Sequence, residues 1–203
     1  MLGGGGGGGG PLGNNPISRW LRFDTANKVV YTILGVNSVV FVAWLYAKEN
    51  AARFGDRRLY VWMMKNFTNM ERNIREGRVW TLVTSAFSHQ RIEHFALNSI
   101  ALVSFGQACW NILGTRQFML LYLGAAVGSS ALSVVYHKFI VRDSHRQYSL
   151  GASGALTGLA TTFACVYPRA QFMLFFVIPV PAGILMGAFG LYEAYNLLNR
   201  HVI

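Results

Sequence analysis

Two short runs hold the residues of this chain that could do chemistry. Gly151-Ala152-Ser153-Gly154 sets a serine between glycines. A serine nucleophile must be sterically open, with backbone N–H donors near enough to hold a developing oxyanion, and flanking glycines permit both. Alone, GxSG is a weak pattern in a chain with 22 glycines. The second run is His94-x-x-x-Asn98. Positions i and i+4 share one helix face, so both side chains can aim at a common point. A polar pair satisfied by a neighbouring helix has the same spacing.

These residues need elements to position them, and composition says which kind. The 203 residues are 53% hydrophobic and only 13% charged, with a net charge of +10. So few charges cannot solvate an ordinary globular surface, and a disordered chain would not carry so much apolar material. Nucleic acid is excluded as a partner because long uncharged blocks dominate where a water-facing basic patch would be needed. Five uncharged stretches, 29–47, 95–115, 117–137, 147–168 and 170–192, are each near the roughly 20 residues that cross a bilayer as a helix. The fold class is therefore all-α, a polytopic membrane helix bundle with about five transmembrane helices. Ser153 stands near the start of the fourth stretch and His94 at the threshold of the second.

The rest of the chain completes this plan. Segment 1–15, with eight consecutive glycines from Gly3 to Gly10, is expected to be disordered, leaving a transmembrane domain over 16–203. It does not read as a signal peptide. Between the first two stretches, Leu59, Trp62, Met63, Phe67 and Met70 share a helix face, as in a helix lying in the interface or packed on the bundle. The stretch 79–89 is apolar but too short to span. Gly124/Gly128, Gly154/Gly158 and Gly183/Gly187 allow close helix approach, and Pro179 and Pro181 should kink the last span. Of the 18 Lys and Arg, Arg19, Arg22, Lys28, Arg116 and Arg169 fall on one side of a five-span protein and the rest on the other. The basic side, with the 48–90 loop, should face a cytosol or matrix. Cys109 and Cys165 show no disulfide or zinc spacing. A transporter is disfavoured because no acidic residue lies within the spans before Glu193.

The order Trp80-Thr81, Ser88-His89, His94-x-x-x-Asn98 and Gly151-Ala152-Ser153-Gly154 resembles the rhomboid family of intramembrane serine proteases, over about 77–196. The resemblance implies that Ser153 is the nucleophile and that His94 and Asn98 lie on the oxyanion side. It further implies that Gly151 and Gly154 support the site backbone and that His89 supports it structurally. The substrates would be transmembrane segments of other membrane proteins, with no metal or organic cofactor. The phrase from Arg78 to His89 looks most like the mitochondrial, presenilin-associated type, which implies the mitochondrial inner membrane. The base departs from the family's pattern. The family's base histidine sits in an Ala-His-x-x-Gly setting on a sixth core helix, about fifty residues after the serine, and His137, His145 and His201 do not match it. The expectation is a fragment of an active protease or, alternatively, a catalytically inactive rhomboid-like protein that binds membrane-protein clients.

Overall fold

The computed structural model describes residues 25–138, 148–174 and 178–199; the glycine-rich segment 1–15 lies outside them. Helix α1, Thr25–Arg53, buries Val30, Ile33, Asn37, Val40, Trp44 and Ala47, which recur at steps of three and four. Its other face is just as apolar yet exposed, through Val39, Val42, Leu45 and Tyr46. A helix that is hydrophobic all round belongs in lipid or in a large core, and this one is only half covered by protein.

The predicted middle helix is divided. Helix α2, Arg58–Asn66, ends at Phe67, and the chain is extended at Met70 before the short α3, Glu71–Arg75. Met63 is buried against Trp44 and Val40 of α1, while Trp62 is exposed. The apolar 79–89 stretch folds into α4, Thr81–Thr84, and a 3-10 turn, Ser85–Phe87, with Thr81, Ser85, Ala86, Ser88 and His89 all buried.

Helix α5 runs Ile92–Tyr136 but is broken at Gly114, whose φ of 73° and ψ of 171° are not helical. Ser130, in its second half, lies 3.4 Å from Ser85 through the two hydroxyls. A straight helix would hold residues 92 and 130 about 57 Å apart. The chain therefore reverses at Gly114 into an antiparallel hairpin, matching the second and third predicted spans. The first half packs on α1 where Gly106 meets Val30, so closely that a Cβ there would stand 2.9 Å from Val30 Cγ2.

Helix α6, Ser153–Val166, lies against both halves of this hairpin. A Cβ on Gly158 would stand 2.6 Å from Ala125 Cβ, and one on Gly154 would collide with Ser129. Cys109 Sγ of the first half donates to the Leu159 carbonyl at 3.2 Å. Of the three predicted small-residue pairs, Gly154/Gly158 makes the close approach. Gly124, Gly128 and Gly187 face open space where a Cβ would stand, and Gly183 lies against Pro168.

The last two predicted spans need correction. The fourth is helical only over the 14 residues of α6, because 148–152 is non-helical, with Ser149 bridged to Asn69 and a bend at Gly151. The fifth opens as a two-stranded ribbon, β1 Gln171–Leu174 against β2 Ile178–Pro181, and becomes helical only in α7, Ala182–Asn199. Pro179 and Pro181 thus kink no helix. They alternate along β2, and since Ala182 N–H donates to the Ala170 carbonyl at 2.8 Å, both prolines fall where an N–H would point away from β1.

Candidate active site

The segment leading to Ser153 is fixed from three sides. Asn69 and Ser149 exchange backbone hydrogen bonds, each 2.9 Å. Asn69 Nδ2 also donates to the Ser130 carbonyl at 2.8 Å and to Ser149 Oγ at 3.1 Å, bridging loop, hairpin and approach strand. Gly151 N–H then donates to the Ser85 carbonyl at 2.8 Å, and Ala152 N–H to His89 Nε2 at 3.4 Å.

The backbone turns at Gly151, where φ is 121°. L side chains rarely adopt this value, and here there is also no room for one. A Cβ at 151 would lie 2.8 Å from His94 Nε2. The glycine is therefore required twice, by dihedral and by the imidazole against it.

His89 is fully buried and meets His94 edge to face, with ring centroids 5.2 Å apart. In the loop before α5, its imidazole is pushed down to about 4, first by burial and then by the neighbouring His94. It is neutral at physiological pH, as an acceptor of the Ala152 N–H must be. Ser88 beside it accepts from Trp44 Nε1 at 2.6 Å, which ties this loop to α1.

Ser153 is the first residue of α6 and is exposed. The first helical bond runs from Leu156 N–H to the Ala152 carbonyl, so the N–H groups of Ser153 to Ala155 are the unpaired donors of a helix start. Ser153 opens on a cavity of about 300 Å³, lined also by Leu97, Asn98, Thr157, Leu185 and Phe189. Asn98 is largely buried and spends one amide hydrogen on the His94 carbonyl at 2.7 Å, leaving a second donor. Helix α6 is about 21 Å long, less than the roughly 30 Å hydrocarbon core.

The structure thus gathers Ser153, Gly151, His89, His94 and Asn98, whereas Gly154 faces the hairpin at Ser129. His137 has its Nδ1 3.4 Å from Ser133 Oγ and is not among the residues lining the cavity at Ser153; His145 and His201 fall outside the described residues. No group of three or more His, Cys, Asp or Glu among the described residues could hold a metal. Sequence reasoning missed Asn69, Ser85 and Ser149. Their partners lie up to 80 residues away, and no local periodicity marks them.

Fold and site define a polytopic helical membrane protein with an exposed serine that opens on a cavity between its helices. The Rhomboid domain matches residues 76–201, and the chain belongs to the rhomboid family, as a member of the mitochondrial type. RHOMBOID-like protein 12, mitochondrial, of Arabidopsis thaliana is 34% identical over 181 residues, covering 84% of this chain and 50% of that protein. Rhomboid protein 1, mitochondrial, of Saccharomyces cerevisiae is 37% identical over 155 residues, covering 76% and 41%. Presenilin-associated rhomboid-like protein A, mitochondrial, of Danio rerio is 28% identical over 152 residues, covering 75% and 36%. The chain spans about half the length, or less, of these curated relatives. No solved structure matches.

Proposed function

We propose that this chain carries the nucleophile and oxyanion side of an intramembrane serine endopeptidase that cleaves transmembrane segments of other membrane proteins in the mitochondrial inner membrane. The observation that carries the reading is Ser153, exposed at the first turn of α6 and facing an apolar cavity that Asn98 also lines, with His94 seated on the Gly151 backbone two residues away. Ser153 Oγ attacks the scissile carbonyl carbon as its proton passes to a base. The tetrahedral oxyanion is held by the Ser153 N–H and the His94 and Asn98 side chains. Collapse breaks the C–N bond, the departing amine takes the proton, and water then hydrolyses the acyl ester. His89 is committed to holding the Ala152 N–H and His94 to the oxyanion, so in this reading neither is the base. The apolar lining suits a helix arriving from lipid.

In proteoliposomes holding the endogenous protein, Ser153→Ala should lower cleavage of a single-span substrate by at least about 10³-fold without changing thermal stability. Cleavage that persists in the variant sinks the assignment. A second reading, in which none of the five histidines of this sequence acts as the base, is an inactive binder of membrane-protein clients. It expects wild type and Ser153→Ala to retain a single-span client equally and neither to cleave it.

A further inference from the structure

The loop between α1 and α2 carries a feature that the serine site does not use. An open cleft of about 600 Å³ lies there, lined by Asp56, Arg57, Arg58, Val61, Trp62 and Lys65. The last four of these belong to α2 and stand at i, i+3, i+4 and i+7, so one helix face forms a wall of the cleft. Charge within the cleft is unbalanced. Arg58 binds Asp56 through Nη2 at 2.8 Å and holds its carboxyl down at about 2, so these two charges cancel. Arg57 and Lys65 have no carboxylate partner among the described residues, whereas Arg53, Arg72, Arg75, Arg78 and Arg91 each have one. Arg57 also lines an adjoining recess with Lys48, whose Nζ donates to the Gln90 carbonyl at 2.8 Å.

The position of the cleft narrows what could balance that charge. The exposed apolar face of α1 continues to Leu45 and Tyr46, and the helix then turns charged and ends at Arg53. The cleft begins one to two residues later, at the level where acyl chains give way to headgroups. Phe54 is 77% exposed and Trp62 52% exposed beside it, and an exposed indole at that depth is a membrane-interface residue.

We infer that this cleft binds the headgroup of an anionic phospholipid, with Arg57 and Lys65 on the phosphate, Trp62 at the glycerol level, and the acyl chains along the outer face of α1. A zwitterionic choline headgroup brings its own cation and leaves the excess charge of the cleft unbalanced; an anionic headgroup does not. The inference stands apart from the serine chemistry and holds whether or not Ser153 is a nucleophile.

Native mass spectrometry of the purified chain in detergent, offered phosphatidylglycerol or phosphatidylcholine of equal chain length, tests it. Wild type should retain phosphatidylglycerol about tenfold more than phosphatidylcholine, and Arg57→Gln with Lys65→Gln should lose that preference. Both side chains face the open cleft, so the variant should remain monodisperse. Arg116→Gln, at the exposed hairpin turn on the opposite side, should leave the preference intact. Unchanged preference in the double variant, or an equal loss in Arg116→Gln, overturns the inference. So does release of lipid by millimolar inorganic phosphate, which marks a small-anion site. Equal retention of the two lipids also overturns it and leaves the cleft to an acidic protein segment.

Discussion

The imidazole of His94 rests on the backbone of Gly151, so that a methyl group at 151 would stand 2.8 Å from Nε2. Residues 57 apart in sequence are thereby fixed beside Ser153, and the contact can be tested by a cycle. Gly151→Ala should cost about 1–3 kcal/mol, part from the φ of 121° and part from the clash. Adding His94→Ala should remove the clash and leave the dihedral strain, so the pair should be less than additive. Thermal unfolding of the four proteins in one detergent measures this, and strict additivity would mean the two residues do not touch.

A second contact sets the seat of α6 on the hairpin. Gly158→Ala should cost about 1–3 kcal/mol, because its new Cβ meets the Ala125 Cβ only 2.6 Å away. Ala125→Gly in the same chain should recover most of that loss. Stability measured for the single and double variants decides it; a double variant no better than Gly158→Ala would show that the crowding comes from elsewhere.

What could be read from the letters was local. His94 and Asn98 share a face because four residues are about one helical turn, and Ser153 stands between glycines whatever the fold does. The break between the second and third spans shows as Arg116 between two apolar blocks, although Gly114 makes the turn. The ribbon at 171–181 stayed hidden because its apolar residues run continuously into α7, so length favoured a span and the prolines looked like kinks. Only the pairing partner, not the sequence, shows that Pro179 and Pro181 sit where β2 needs no donor. The anchoring of Ser149 by Asn69 was equally hidden, since it joins residues 80 apart.

That anchor should matter to the site. Asn69 is 3% exposed, and its amide spans Ser130 and Ser149. Asn69→Ala leaves the backbone exchange with Ser149 but removes the side-chain bonds to the buried Ser130 carbonyl and the half-buried Ser149 hydroxyl, a loss of about 1–3 kcal/mol. In the proposed reaction it should lower kcat while leaving KM unchanged, because Asn69 does not line the cavity on which Ser153 opens. Unfolding and cleavage kinetics measure the two parts separately, and a KM effect without a kcat effect would place Asn69 in substrate binding instead.

Acid should loosen the same site. His89 is buried with its imidazole pushed down from the ordinary 6.5 to about 4. As pH falls below about 6.5, the unfolded chain takes up a proton at this position, while the folded site refuses it until pH nears 4. The unfolded state therefore binds more protons throughout that window, so stability rises with pH across it. The contribution is fully present above about pH 6.5 and is lost progressively as pH falls towards 4, amounting to about 3 kcal/mol at most. His89→Gln keeps an acceptor for the Ala152 N–H but cannot titrate. Unfolding followed in one detergent between pH 7 and pH 5 should show a steeper loss for wild type than for His89→Gln. Parallel curves would mean that His89 takes up its proton at the same pH in the folded and unfolded chains, and the buried neutral acceptor assigned to it beneath Ser153 would have to be given up.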